Sequence, residues 1–293
     1  MYELIRVGER SLYIESPARV GIIELGGGDV AIVDAGNNRE AGKRIKKILN
    51  AAGMTLRVIL ITHSHADHIG GAAYLKAETG CRVLAKGIER DFTRHTILEP
   101  GFLFGANPLP SLRHKFMLAE ECEAEELCEE SLPEGIKMID LAGHSFDMVG
   151  FVSPDGVTFI GDALASRETL EKYGVGYIFD VTRYLETLEY LKTLKAPVFV
   201  ASHAGALEDL SPLADHNIAA TLETERRILQ ICDTSRGIED ILAELLTSYS
   251  MTLTVEQYAL VGSALRSYLT RLMTNGKIET VIENNRLYFR SIG

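Results

Sequence analysis

The sequence predicts an α/β chain over residues 1–215, followed by a small helical, winged-helix-like module over 216–293. Three observations carry that expectation. Short β-branched runs alternate with helical periods through the first part, which is the signature of strands joined by helices. Five of the eight histidines stand just beyond runs that read as buried strands. After residue 215 the pattern becomes helical and closes in an alternating strand pair.

Taken in order, residues 1–36 read as short strands and turns. Val20–Leu25 and Val30–Asp34 are rich in β-branched residues and are separated by the turn Gly26-Gly27-Gly28-Asp29. Ala41, Ile45, Ile48 and Leu49 recur at helical spacing within 39–52, and Gly53 ends that helix. Val58–Ile61 is a short buried strand, followed by a histidine-rich loop, a helix to Thr79, and a strand over Cys81–Ala85. From 86 to 132 the pattern weakens into an irregular stretch and an acidic run, read as a solvated face or turn. Strands return at 135–141, 148–153 and 157–160. A helix spans 181–193 and a last buried strand 198–201. The tail reads as helices over 217–232, 238–248, 255–258 and 261–273, then a hairpin of 278–282 and 286–289 around Asn284-Asn285.

A length of 293 residues suits one large domain, or a main domain with a small one. Apolar residues at 46% and charged residues at 24% are ordinary for a folded water-soluble chain. No apolar run reaches the roughly 18 residues a membrane span needs, and the first residues lack a signal-peptide core. The expectation is a cytoplasmic protein without membrane attachment. Cys81, Cys122, Cys128 and Cys232 are scattered, so neither a disulfide framework nor a thiolate metal site is expected. A formal charge of −11 disfavours a surface built mainly to hold phosphate backbones.

The chemistry concentrates in Thr62-His63-Ser64-His65-Ala66-Asp67-His68-Ile69-Gly70-Gly71. His63 and His65 are two apart, so in an extended loop they point the same way. Asp67 and His68 enter the first turn of the next helix, where an aspartate suits the dipole. The two pairs can therefore face neighbouring positions. Gly70 and Gly71 let the backbone turn closely beneath them. His144, Asp162 and His203 each follow a later strand. A lone strand-end histidine is more often structural, but ionisable groups packed into six residues repel one another in a core that holds no metal. The N/O donor set without sulfur suits zinc best, with iron or manganese also possible.

The motifs THSHADHIGG (62–71), GHS (143–145), GD (161–162) and SH (202–203), in that order, resemble the metallo-β-lactamase superfamily. The resemblance covers roughly residues 10–205; glyoxalase II-like thioesterases share the whole ligand set, but the segment after His203 resembles the winged-helix-like tail of another branch rather than their glutathione-binding tail. It implies an α+β fold, an αβ/βα four-layer sandwich with the site along one edge of two sheets. It implies two Zn²⁺, one held by His63, His65 and His144, the other by Asp67, His68 and His203, with Asp162 bridging. Asp34 matches a family position that orients a ligating histidine; it could equally be a turn aspartate before Gly36.

The resemblance implies hydrolysis by a hydroxide bridging the two metals, with Asp67 as a possible proton acceptor. A small thioester, ester or lactone is the expected substrate. The alternatives are a metal-dependent ribonuclease, as in a branch with a winged-helix-like tail, and a mono-iron persulfide dioxygenase. His65 stands where diiron relatives carry glutamate, and only 41 positions separate Asp162 from His203, too few for a large insert. Residues 217–293 hold eight Lys/Arg against nine Asp/Glu, a poor match to a nucleic-acid-binding wing. Nucleic acid is therefore a possible but not favoured partner, and the tail is expected to serve as a lid or in a homodimer. The 86–132 segment is the expected substrate wall, with Arg94, His95, Phe102, Phe104 and His114 as positional candidates; Tyr177 and Arg183 are others.

Overall fold

The computed structural model describes residues 2–292, and in it two sheets are stacked face to face between layers of helices. The first sheet opens with four antiparallel strands, β1 (Glu3–Arg6), β2 (Ser11–Glu15), β3 (Val20–Gly26) and β4 (Asp29–Val33). Helix α1 (Arg39–Ala51) crosses to β5 (Thr55–Leu60), which pairs parallel to β4. A short turn of helix, α2 (Ala66–Ile69), and α3 (Ala72–Thr79) lead to β6 (Arg82–Ala85), again parallel. Helices α4 (Gly87–Arg94) and α5 (Leu98–Phe104) precede the short edge strand β7 (Glu125–Glu126). The second sheet has the order β12-β11-β10-β9-β8, from β8 (Lys137–Asp140), β9 (Val149–Val152), β10 (Thr158–Gly161), β11 (Phe199–Ala201) and β12 (Gly205–Leu207). Helices α6 (Arg167–Tyr173) and α7 (Val181–Thr193) make the crossover between the parallel pair β10 and β11. The chain ends in α8 (Ser211–Ile231), α9 (Ile238–Ser248), α10 (Val255–Thr274) and the hairpin β13 (Ile278–Glu283) and β14 (Arg286–Ser291).

Strand alternation explains the layering. On β3, β4 and β5, Ile22, Ile32 and Ile59 point outward to Ile45, Leu49 and Leu75 of the covering helices. Their neighbours Ile23, Ala31, Val33, Val58 and Leu60 point inward, against Val149, Phe151, Phe159 and Val200 of the second sheet. Both faces are buried, so these strands read as nearly continuous apolar runs. Phe151 and Phe159 lie between the sheets with almost no exposure, each worth roughly 1.5–3 kcal/mol of burial. The opposite face of the second sheet and α7 share one apolar cluster with α8, α9, α10 and the hairpin. The boundary expected at residue 215 falls within α8, so that helix continues across it.

The elements expected from the sequence are present, with some differences, the first being that the helix expected up to Thr79 is divided into α2 and α3 at Gly70-Gly71. The segments 255–258 and 261–273 form a single helix, because Gly262 is accommodated inside α10 without a break. The weakly patterned 86–132 contains α4 and α5; Pro100 sits in the first turn of α5, where a missing N–H costs nothing. Helix α6 and strand β12 went unread, being too short to show a period. Gly70 and Gly71 are needed for close approach rather than for an unusual φ: a Cβ on Gly71 would stand 2.3 Å from the Ala35 carbonyl oxygen, and one on Gly70 2.4 Å from the Asn37 carbonyl carbon. No helix of the described residues is long and apolar enough to cross a membrane.

Candidate metal centre

All seven residues singled out in the sequence converge at one edge of the sandwich, where strands of both sheets end. His63 and His65 follow β5, Asp67 and His68 lie on α2, His144 follows β8, Asp162 follows β10 and His203 follows β11. His65 Nδ1 stands 2.9 Å from His63 Nε2 and 3.1 Å from His144 Nε2. Across the site, His203 Nε2 lies 3.1 Å from Asp67 Oδ2. Asp162 sits between the two groups: its Oδ1 is 3.4 Å from His68 Nε2, and its Oδ2 is 3.4 Å from His203 Nε2 and 3.8 Å from His144 Nε2. Three sets of donor atoms lie close enough to hold a cation: His63, His65 and His144; His63, His68 and Asp162; Asp67, His68 and His203.

Outer hydrogen bonds fix which ring nitrogens face inward. His68 Nδ1 donates to Asp34 Oδ2 at 2.8 Å, and Asp34 also accepts from the Thr62 N–H at 2.8 Å. His203 Nδ1 donates to the Pro17 carbonyl at 3.0 Å. Each bond places a proton on Nδ1, so in the neutral ring Nε2 turns a lone pair to the centre. Asp34 is thus the orienting aspartate rather than only a turn residue, and it holds a positive φ of 64° to reach both partners.

The electrostatics divide the site. Burial, reinforced by neighbouring imidazoles, pushes His63 well below the ordinary histidine value and His65 down to about 3; burial also lowers His144. These rings are neutral donors. Burial also disfavours charge on His68, but Asp162, Asp67 and Asp34 outweigh it and hold that ring well above its usual value. The Asp162 carboxylate likewise raises His203 to about 10. Against their own burial, His68 and His203 keep Asp67 down at about 2 and Asp162 far below the usual carboxylate range. Two buried polar atoms, His68 Nε2 and Asp162 Oδ1, have no hydrogen-bond partner. The neutral rings of His63, His65 and His144, the ionised carboxylates, and His68 and His203, whose Nε2 protons a divalent cation would displace, together make a donor set that fits divalent cations by its chemistry.

Residues outside the seven complete the surroundings. Glu89 on α4 is buried and accepts from Ser64 N–H (2.8 Å), Ser64 Oγ (2.6 Å), Ser145 Oγ (2.7 Å) and Asp147 N–H (3.0 Å). It thereby joins the loop of His63 and His65 to the loop of His144. Glu99 on α5 also lines the site, its carboxyl pushed well up by burial with help from Asp67 and Glu89. Nothing local in the sequence marked either glutamate. Of the positional candidates, Tyr177 lies against His65, with ring centroids 5.3 Å apart. Phe102 stacks with Phe92, Phe146 and Phe179 beside the site. His114 faces Glu256 at the start of α10. Arg94 and Arg183 turn outward to Glu123 and Asp140, His95 is exposed, and Phe104 packs beneath α10; none of these four lines the centre.

The site opens into a cavity of about 580 Å³, bounded by His65, Asp67, Glu99, the 165–177 segment and the first half of α10. A second cavity of about 130 Å³ runs from His144, Asp162 and His203 toward α8 and Tyr268.

Comparison with known proteins places this geometry in context. The family model described as the metallo-beta-lactamase superfamily matches residues 14–203. A hydroxyacylglutathione hydrolase of Cereibacter sphaeroides is 30% identical over 210 residues, covering 70% of this chain and 67% of that protein. The hydroxyacylglutathione hydrolase 2 of Vibrio vulnificus is 32% identical over 152 residues, covering 52% of this chain and 46% of the relative. The chain thus spans about half the length of the Vibrio proteins it matches. Among solved structures, the metallo-beta-lactamase family protein TTHA1429 of Thermus thermophilus superposes with a TM-score of 0.70 at 19% identity, covering 96% of this chain and 97% of that one. A beta-lactamase domain protein of Burkholderia ambifaria gives 0.76 at 15% identity, covering 99% and 95%. At these identities the likeness is one of fold, and it extends over the C-terminal helices.

Proposed function

The chain belongs to the metallo-beta-lactamase superfamily, and from that premise we propose that it is a two-metal hydrolase of a small thioester, ester or lactone. The observation that carries this reading is the pair of buried, unpartnered atoms, His68 Nε2 and Asp162 Oδ1, at the junction of two three-donor groups. His63, His65 and His144 would hold one cation, Asp67, His68 and His203 the other, and Asp162 both. When bound, the divalent cations, for which zinc suits the N/O donors best, would lower the pKa of a water and polarise the substrate carbonyl. Hydroxyacylglutathione hydrolases among the relatives support a thioester as the bond broken.

The chain's own groups supply position and proton handling. Asp34 and the Pro17 carbonyl keep His68 and His203 turned inward, and Glu89 holds the two histidine loops in register. Water adds to the carbonyl carbon, the carbon–sulfur or carbon–oxygen bond breaks, and the water proton leaves with the thiol or alcohol. Asp67 lines the cavity, and its carboxylate is the acceptor we assign to that proton in transit. Tyr177 packs edge-on against His65 and lines the cavity on that side.

The test is direct. Asp162→Ala and His63→Ala should each lose bound metal, read by elemental analysis, together with turnover of S-lactoylglutathione-type thioesters or simple acyl esters. Full activity in a variant shown to be metal-free would overturn the proposal.

A further inference from the structure

Resting on that hydrolase reading, we infer that the substrate part lying outside the metal centre is apolar and carries no net negative charge, so that the chain hydrolyses an acyl ester, lactone or thioester with an aliphatic body rather than an anionic glutathione conjugate. The evidence is the wall of the 580 Å³ cavity. Its volume lies in the range that encloses a small organic ligand. Met117, Leu170, Met251 and Leu260 supply much of its surface. The carboxyl side chains on it besides the centre's own are Glu256 and Glu99, the latter pushed toward its neutral form by burial; among the described residues no lysine or arginine lines it. Away from the metal centre an anionic group would meet Glu256 in a partly dehydrated space with no lysine or arginine on the wall to pair with it, which is unfavourable. An apolar chain meets no such cost and gains by burial.

Two further observations point the same way. Two of the residues lining the cavity, Phe116 at 58% and Tyr173 at 45%, are large apolar side chains left exposed. The basic residues beside them, Lys115 and Lys172, rest on those same two rings and do not join the lining. The wall is also built in, not fortuitous. Leu103, Leu112 and Met117 pack on Ala259 of α10, with Tyr177 and Leu260 against them, so the 98–117 segment and the C-terminal helix close over the site as one apolar unit.

The zinc-loaded chain should be assayed on uncharged p-nitrophenyl esters from acetyl to octanoyl, on S-lactoylglutathione and on labelled single-stranded RNA. The expected result is a kcat/KM that rises about tenfold or more from acetyl to hexanoyl, with S-lactoylglutathione well below the longer esters and the RNA intact. Leu260→Gln should flatten the rise with chain length. Glu256→Lys, at a half-buried position on the cavity wall, should increase the ratio of S-lactoylglutathione to octanoyl ester turnover several-fold. Binding is read separately in the metal-free chain by saturation-transfer NMR with methyl hexyl ketone and S-methylglutathione, neither of which can be hydrolysed; the ketone should bind and the glutathione thioether should not. Turnover that favours S-lactoylglutathione or falls with chain length, or cleavage of the RNA, would overturn the inference while leaving a metal-dependent hydrolase standing. Failure on every acyl substrate, charged or not, would bring down both.

Discussion

At the residue scale, the site depends on groups that hold its histidines as much as on the histidines. Glu89 is the sharpest case, because one buried carboxylate satisfies four donors from two loops. Glu89→Ala leaves those donors without an acceptor and should cost about 3 kcal/mol of stability in urea unfolding. Glu89→Gln keeps the volume but turns one acceptor into a donor facing donors, so it should fall between. Asp34→Ala should lower metal affinity by about 10–100-fold in a competition titration, because His68 loses the bond that aims Nε2 inward; an unchanged affinity would show that packing alone orients the ring. The seven centre residues and Asp34 were legible in the sequence because each follows a strand, and four of them fall into one short run, 63–68. Glu89 and Glu99 were not. Their roles come from distant partners, those of Glu89 lying 25 to 58 positions away, and an isolated glutamate in a helix gives no sign that it will be buried.

At the scale of elements, the loop after β5 is pressed on the segment after β4. A methyl on Gly71 would meet the Ala35 carbonyl at 2.3 Å, so Gly71→Ala should cost about 2 kcal/mol and lower metal affinity through the adjoining His68. The two sheets are tied at their other end by Asp155, which accepts from the Arg10 N–H and the Ser11 hydroxyl at β2 and from Ser153. Burial works against its charge, but these bonds outweigh it and lower its pKa. A carboxylate depressed in the folded state stabilises at pH above its unfolded value of about 3.9 and loses that contribution as pH falls through the folded value. The stability gap between the wild type and Asp155→Ala, measured by urea unfolding, should therefore be largest near neutrality and shrink as pH drops below about 4. A gap constant with pH would mean that the Asp155 contribution is packing. Elements with a full period, such as α7 and α9, were readable to their ends, whereas α6 and β12 are set by the crossover and the sheet edge they serve.

At the scale of the whole molecule, the decisive feature is that the C-terminal helices are not an appendage. Asn217 of α8 is buried, accepts from the Ala165 N–H and the Tyr184 hydroxyl at 3.0 Å each, and donates to the Ala165 carbonyl at 2.9 Å, three residues beyond Asp162. Ser267 of α10 accepts from the Val181 N–H at the start of α7, and Arg271 pairs with buried Glu225 at 2.7 Å. Around these bonds, Leu188 and Leu191 of α7 share one apolar cluster with Ile228, Leu245, Leu265 and Leu269. Helical periodicity announced the tail, but it could not announce this contact, because an amphipathic stripe does not say which surface will cover it. A chain ending at residue 209 would expose the inner side of α7 and release the 165 loop beside Asp162. That surface is apolar, with Leu188 and Leu191 now covered by α8, α9 and α10. We expect the truncated chain to keep helical far-UV circular dichroism, bind a hydrophobic dye, lose cooperative unfolding and fail to retain stoichiometric metal, with Asn217→Ala in the full chain showing the metal defect alone in milder form. Cooperative unfolding and full metal content in the truncated chain would show instead that the first 209 residues hold the centre by themselves, and the tail would then act only as the roof of the cavity.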